Sequence, residues 1–177
     1  KAREAAALLA DAMAADPDPA PANLRFWRAR ALYEAGRYEQ ALEQLDSADW
    51  RPRGGDTAVA ALRLRGHALE RLNRPSDAAA VYASLDEEAR REPWRWENRL
   101  DLAAALEASG ETERALETLS QLADEAPAPL RYRARLRQAR VLAATGNPEA
   151  AARAFQALAA DEEAPRPLRL DAHLDLA

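Results

Sequence analysis

Four short stretches of this chain are written to one pattern, and that repetition limits the possible fold more than any other feature. They read Gly36-Arg-Tyr-Glu-Gln-Ala41, Asn73-Arg-Pro-Ser-Asp-Ala78, Gly110-Glu-Thr-Glu-Arg-Ala115 and Gly146-Asn-Pro-Glu-Ala-Ala151. Each opens on Gly or Asn, the residues that tolerate the left-handed backbone with which helices end. Each closes on an alanine, and these alanines recur at spacings of 37, 37 and 36 residues. Self-similarity at such a period marks a stack of identical supersecondary units. Ala5 lies 36 residues ahead of Ala41 and is followed by Leu9 and Pro17, so a half-unit precedes the first complete one. Leu174-Asp-Leu-Ala177 repeats Leu100-Asp-Leu-Ala103, which opens a first helix.

The stretches between these turns are of helix length. Eleven prolines punctuate the chain, at positions suited to helix starts and connections, where a missing amide donor does no harm. The pattern predicts helices over 2–15, 22–35, 38–49, 57–72, 76–90, 95–109, 112–125, 130–145, 148–160 and 168–177. Alanine makes up about a quarter of the chain, whereas isoleucine is absent and valine scarce. The best helix former is abundant and the β-branched residues that strands need are nearly missing, so the fold is expected to be all-α. The expected organisation is a single array over 1–177. A second helix of a preceding repeat occupies 1–19, and repeats follow at 20–55, 56–93, 94–127 and 128–165. A first helix of a further repeat takes 166–177. Both ends fall inside a unit, as in a window from a longer array.

The repeat resembles the tetratricopeptide (TPR) family, whose pattern is W-x2-L-G-x2-Y, then A-x3-F, then P, over about 34 residues. Its small first-helix residue corresponds to Ala29, Gly66, Ala103 and Ala139, and the large residue after it to Leu32, Leu69, Leu106 and Leu142. The second-helix pair corresponds to Ala41/Leu45, Ala78/Tyr82, Ala115/Leu119 and Ala151/Phe155. Pro17 and Pro127 match the closing proline in spacing, and Pro52, Pro93 and Pro165 fall nearby. The resemblance implies a right-handed superhelical solenoid of antiparallel helix pairs with a concave groove lined by first helices. The chain departs from the family at its leading Trp, replaced by Arg25, Leu62, Arg99 and Arg135. A large apolar residue stands one place later at Phe26, Leu100, Leu136 and Leu174.

In such a groove, the family's contact positions fall on Phe26, Arg30, Tyr33, Glu34, Arg63, His67, Glu70, Glu97, Leu100, Arg133, Leu136 and Arg140. Some members clamp a terminal carboxylate. The matching positions here are Arg63, His67, Asp101, Arg133 and Arg137, with Asp101 placed where its charge repels a carboxylate. Arginines pairing with neighbouring Glu and Asp to keep the groove solvated is the competing account. Trp96, in Trp94-Arg-Trp96 behind Pro93, is either an exposed contact residue or a cap on the connection; Trp50 plugs a gap between helices. The resulting partner-binding set is Phe26, Arg30, Tyr33, Arg63, His67, Trp96, Arg133, Arg137 and Arg140.

Chemistry bounds the function further. There is no Cys, hence no disulfide, thiolate metal site or thiol nucleophile. The two histidines, His67 and His173, stand about three repeats apart. No Walker loop, dinucleotide fingerprint, HExxH or Gly-x-Ser-x-Gly motif occurs. Carboxylate runs such as Asp86-Glu-Glu88 and Asp161-Glu-Glu163 read as solvated helix ends, so no enzyme and no cofactor are expected. The net charge of −5 opposes nucleic-acid binding, and no apolar run approaches the ~20 residues of a membrane span. The leading expectation is a non-enzymatic scaffold for a protein or peptide partner, with self-association possible through uncapped ends. A bacterial envelope protein of polysaccharide export or outer-membrane assembly is one setting, with periplasm favoured over cytoplasm. A TPR appendage or sensor segment of a cytoplasmic enzyme or regulator is the alternative.

Two helices joined by so tight a turn pack closely only if small side chains stand where they cross. Enlarging Ala78 or Ala115 to Leu should therefore lower stability by about 1–3 kcal/mol through overpacking, measured as the unfolding free energy in urea. No loss would show that these alanines face solvent.

Overall fold

The computed structural model describes residues 22–46, 56–88 and 94–176. The helix expected over 2–15, Trp50 and Pro93 lie outside them. Among the described residues there are nine helices: α1 (Ala22–Glu34), α2 (Tyr38–Asp46), α3 (Asp56–Arg71), α4 (Pro75–Glu88), α5 (Arg95–Ala108), α6 (Thr112–Glu125), α7 (Leu130–Ala144), α8 (Pro148–Ala160) and α9 (Arg166–Asp175). None of the described residues is in a strand.

The four turns share one hydrogen-bonded form. Gly36, Asn73, Gly110 and Gly146 all take positive φ, at 82°, 57°, 83° and 80°. The next amide then reaches back across the helix end: Arg37 N–H donates to Leu32 O, Arg74 to Leu69, Glu111 to Leu106 and Asn147 to Leu142, at 2.9–3.0 Å. This is the Schellman closure, which satisfies carbonyls that the helix leaves open. The carbonyls of Arg37, Arg74, Glu111 and Asn147 then accept from Ala41, Ala78, Ala115 and Ala151, starting the next helix at once. A two-residue reversal leaves each helix pair antiparallel.

The chain forms two compact units, residues 1–85 and 86–177. In the first, α1 packs on α2, α2 on α3, and α1 also touches α3. Ala29 and Ala41 have no exposed surface, and Phe26 and Leu45 fill the space around Ala29 and Ala61. In the second, each of α5 to α9 packs on the next, and the first helices α5, α7 and α9 also touch in turn. Among the described residues α6 and α8 make no comparable contact, so the first helices form the inner face of this unit. Its core is a layer of Leu100, Ala103, Leu119, Leu122, Ala123, Ala134 and Val141, then a layer built on Tyr132, Leu136, Ala139, Ala151 and Phe155. On α9, Leu170 and Leu174 remain 53% and 73% exposed.

Gly66 stands out among the small crossing residues. A Cβ built there would lie 2.4–2.8 Å from Cε1, Cζ and Oη of Tyr82, so the ring of Tyr82 occupies the space that a side chain at 66 would take. Tyr82 has no exposed surface, and its hydroxyl lies 3.0 Å from His67 Nδ1 and donates to Glu70 Oε2 at 3.3 Å. A ring held in this way has little freedom to move aside. The residues at the corresponding position of the other repeats are Leu45, Leu119 and Phe155, none of which carries a hydroxyl.

Gly66→Ala should lower stability by about 1–2 kcal/mol, because overpacking outweighs the ~1 kcal/mol that Ala gains over Gly in a helix. In a Tyr82→Leu background the same substitution should become stabilising. Urea unfolding of the four proteins checks the inversion; an effect of one sign in both backgrounds would refute it.

Candidate functional site

The first helices of the second unit enclose an open cleft of about 420 Å³. From α7 it takes Arg133, Leu136, Arg137 and Arg140, which fall on one face at the spacing of successive helical turns. Leu100 and Glu107 of α5 line one side, and Leu168 and Asp171 of α9 the other. Leu100 and Leu136 are almost wholly buried and Leu168 is half-buried, so the floor is apolar and fixed by the core beneath it.

Ion pairs organise the walls. Arg137 Nε donates to Glu107 Oε2 at 2.9 Å, tying α7 back to α5. Arg140 Nε donates to Asp175 Oδ2 at 2.6 Å, tying α7 forward to α9. Each arginine is satisfied by a carboxylate from a neighbouring repeat, which is the solvated-groove arrangement rather than an open clamp of three cations. Arg133 is exposed and Asp171 half-buried. Neither side chain makes a hydrogen bond or ion pair among the described residues.

The candidate residues therefore separate into groups. Arg133, Arg137 and Arg140 come together in this cleft, joined by Leu100 and Leu136. Phe26 is only 7% exposed and packs in the core of the first unit with Ala29, Leu45 and Ala61. Arg30 is exposed and stacks over Trp27, with its guanidinium carbon 5.5 Å from the ring centroid. Tyr33 meets Tyr38 edge-on at 5.3 Å, and Arg71 lies over Tyr38. Burial pushes the Tyr33 phenol above its ordinary value of 10.0, against the opposing charge of Arg71. Arg63 is half-buried on α3. His67 is engaged with Tyr82 and Glu70. Trp96 is half-buried against the Leu100 layer, with Arg95 3.9 Å and Arg99 5.8 Å from its ring centroid.

The sequence reading lacks three residues of the cleft, Glu107, Leu168 and Asp171, and also Asp175, which pairs with Arg140. A signal existed for the α9 pair. Asp171 stands 38 residues after Arg133, and Asp175 38 after Arg137, so extending the register by one unit would have found both. Exposed Trp27, 53% accessible, was also passed over, although a residue directly after a core position points about 100° away on a helix. A second depression, of about 280 Å³ in the first unit, is lined by Asp46, Arg65, Arg74 and Asp77. Its charges are paired with one another, Arg65 with Asp46 at 2.9 Å and Arg74 with Asp77 at 2.6 Å. No cluster of three or more His, Cys, Asp or Glu is placed to hold a metal, and no helix is long and apolar enough to cross a membrane, among the described residues.

Stacked helix pairs closed by identical turns, with a cleft along their first helices, define a helical-repeat binding protein. Models of the tetratricopeptide repeat family match residues 1–66 and 100–177, and the chain belongs to that family. It is accordingly an all-α, TPR-type protein and, in the general sense of the family, a scaffold for protein–protein interaction. Two similar crystal structures are of a Podosopora anserina protein assigned to the kinesin light chains, with nearly identical TPR-like repeats. One shares 19% identity at a TM-score of 0.69, covering 89% of this chain and 85% of that one. The other, a single-substitution variant, shares 19% at 0.67, covering 86% and 81%. At this identity the likeness is one of fold. The search of curated proteins gave no match.

The Arg137–Glu107 pair is about 40% exposed on both sides, and such pairs contribute little in water. Glu107→Gln should therefore lower the unfolding free energy by less than about 1 kcal/mol, as read by urea denaturation. A loss of several kcal/mol would mean that the pair holds the repeats together.

Proposed function

We propose that the cleft between α5, α7 and α9 is where this scaffold takes its partner, a segment of protein or peptide. The observation that carries this is the pairing of an apolar floor with polar walls that are only partly satisfied from within: Leu100, Leu136 and Leu168 below, Arg133 and Asp171 open above. A concave site with an apolar base and a few oriented polar groups is the usual form of a binding pocket. The depression in the first unit, whose charges neutralise each other, offers a partner much less.

We also propose a bacterial envelope setting, in which the chain serves polysaccharide export or outer-membrane assembly from the periplasm. The absence of Cys, the acidic balance and the near-exclusive use of Arg support it. The alternative is a TPR appendage or sensor segment of a larger cytoplasmic enzyme or regulator.

One experiment addresses both. The chain and its Arg133→Glu/Arg140→Glu variant are used as bait against separate periplasmic and cytosolic fractions of the source cells, with bound proteins read by mass spectrometry. The expected result is a specific partner from the periplasmic fraction that the variant loses. Retention by the variant would move the site out of the cleft, and a partner from the cytosolic fraction alone would favour the appendage.

A further inference from the structure

The charges along the second unit's inner face follow a register. Glu97, Arg133 and Asp171 stand 36 and 38 residues apart, and Asp101, Arg137 and Asp175 repeat the same intervals. Three adjoining first helices thus carry acid, arginine, acid at two successive levels. At the level of Arg137, the internal pairs use up the charge: Arg137 holds Glu107, and Arg140 holds Asp175. At the level of Arg133 they do not. Arg133 on α7 and Asp171 on α9 line one cleft, carry opposite charges, and have no side-chain partner among the described residues. Leu136 follows Arg133 by three residues, and Leu168 precedes Asp171 by three. The apolar floor therefore lies one helical turn from each open charge.

We infer that the cleft recognises an extended peptide in which an apolar side chain lies between a carboxylate and a cation, the carboxylate meeting Arg133 and the cation meeting Asp171. The inference rests on the cleft being the partner site and adds the chemistry of its occupant. Touching helices run about 8–10 Å apart, and a peptide in the polyproline II form advances about 3.1 Å per residue and returns every third side chain to one face, so the two charges stand about three positions apart in the peptide. A uniformly acidic peptide fits less well. Two of the three arginines are already neutralised, and Asp171 lines the same cleft and repels it.

The test uses fluorescence anisotropy with a labelled peptide, Ser-Gly-Glu-Leu-Leu-Arg-Gly-Ser, one leucine of which is a photoreactive analogue. Comparison peptides replace Glu by Gln, Arg by Gln, or Arg by Glu. The protein is used intact, with Arg133→Glu and Asp171→Arg as variants whose helicity is checked by circular dichroism. Each lost charge, on peptide or protein, should weaken binding about tenfold, as expected for a charge pair on an interface. A peptide with Arg in place of Glu should restore binding to the Arg133→Glu variant. Equal affinity for the neutral or all-acidic peptides, or no binding of any peptide in the set, overturns the inference. Cross-linking separates the two levels of failure. Label on α7 and α9 without charge preference removes only the assigned chemistry, whereas label elsewhere removes the cleft as the site.

Discussion

Close approach of two helices at a pair of tiny side chains is the constraint on which the rest of the structure depends. Ala29 with Ala41, Gly66 with Ala78, Ala103 with Ala115 and Ala139 with Ala151 are all buried. A turn of two residues brings the helices together too tightly for anything larger between them. Because the crossing is small, the bulky neighbours Leu45, Tyr82, Leu119 and Phe155 become the core, filling the space to either side at the density that interiors require. Tyr82 shows how strict this is. Its ring sits over the backbone of residue 66, and only the residue without a Cβ accommodates it.

The inner face of the second unit follows from that packing. With α6 and α8 on the outside, α5, α7 and α9 are drawn side by side, and their polar faces share one cleft. Arginine at the centre with acids on either side is a stable arrangement for such a face, since each guanidinium finds a carboxylate on the next helix and no large field of one sign builds up. Pairs of this kind contribute little to stability because water competes for both ends. What they fix is which charges of the cleft stay open, Arg133 and Asp171.

Several residues were placed by rules that held locally and gave way to packing. Phe26 falls on a family contact position but packs with Ala29, Leu45 and Ala61 in the core of the first unit, whereas its counterparts Leu100 and Leu136 form the floor of a cleft. His67 was read in the same way; the hydroxyl that Tyr82 brings to the crossing claims it instead. Trp96 lies half-buried against the Leu100 layer, with the guanidinium groups of Arg95 and Arg99 near its ring. Arg133, Arg137 and Arg140 share one helix face, which is legible because spacing along a single helix needs no knowledge of its neighbours. Their partners Glu107 and Asp175 lie 30 and 35 residues away in sequence; the repeat register reaches Asp175, but only the packing of the helices pairs it with Arg140.

The sequence by itself determined the elements and their punctuation. Gly36, Asn73, Gly110 and Gly146 mark the left-handed turns because few residues adopt that backbone cheaply. The alanine period sets the crossings, and the scarcity of β-branched residues leaves helix as the fitting element. These are local or strictly periodic properties, and each is legible in a window shorter than one repeat. Tertiary structure alone decided which arginines are neutralised, which charges stay open over an apolar floor, and why residue 66 must be glycine. Those outcomes depend on how far side chains reach between helices of different repeats. That distance is set by the packing of the whole unit.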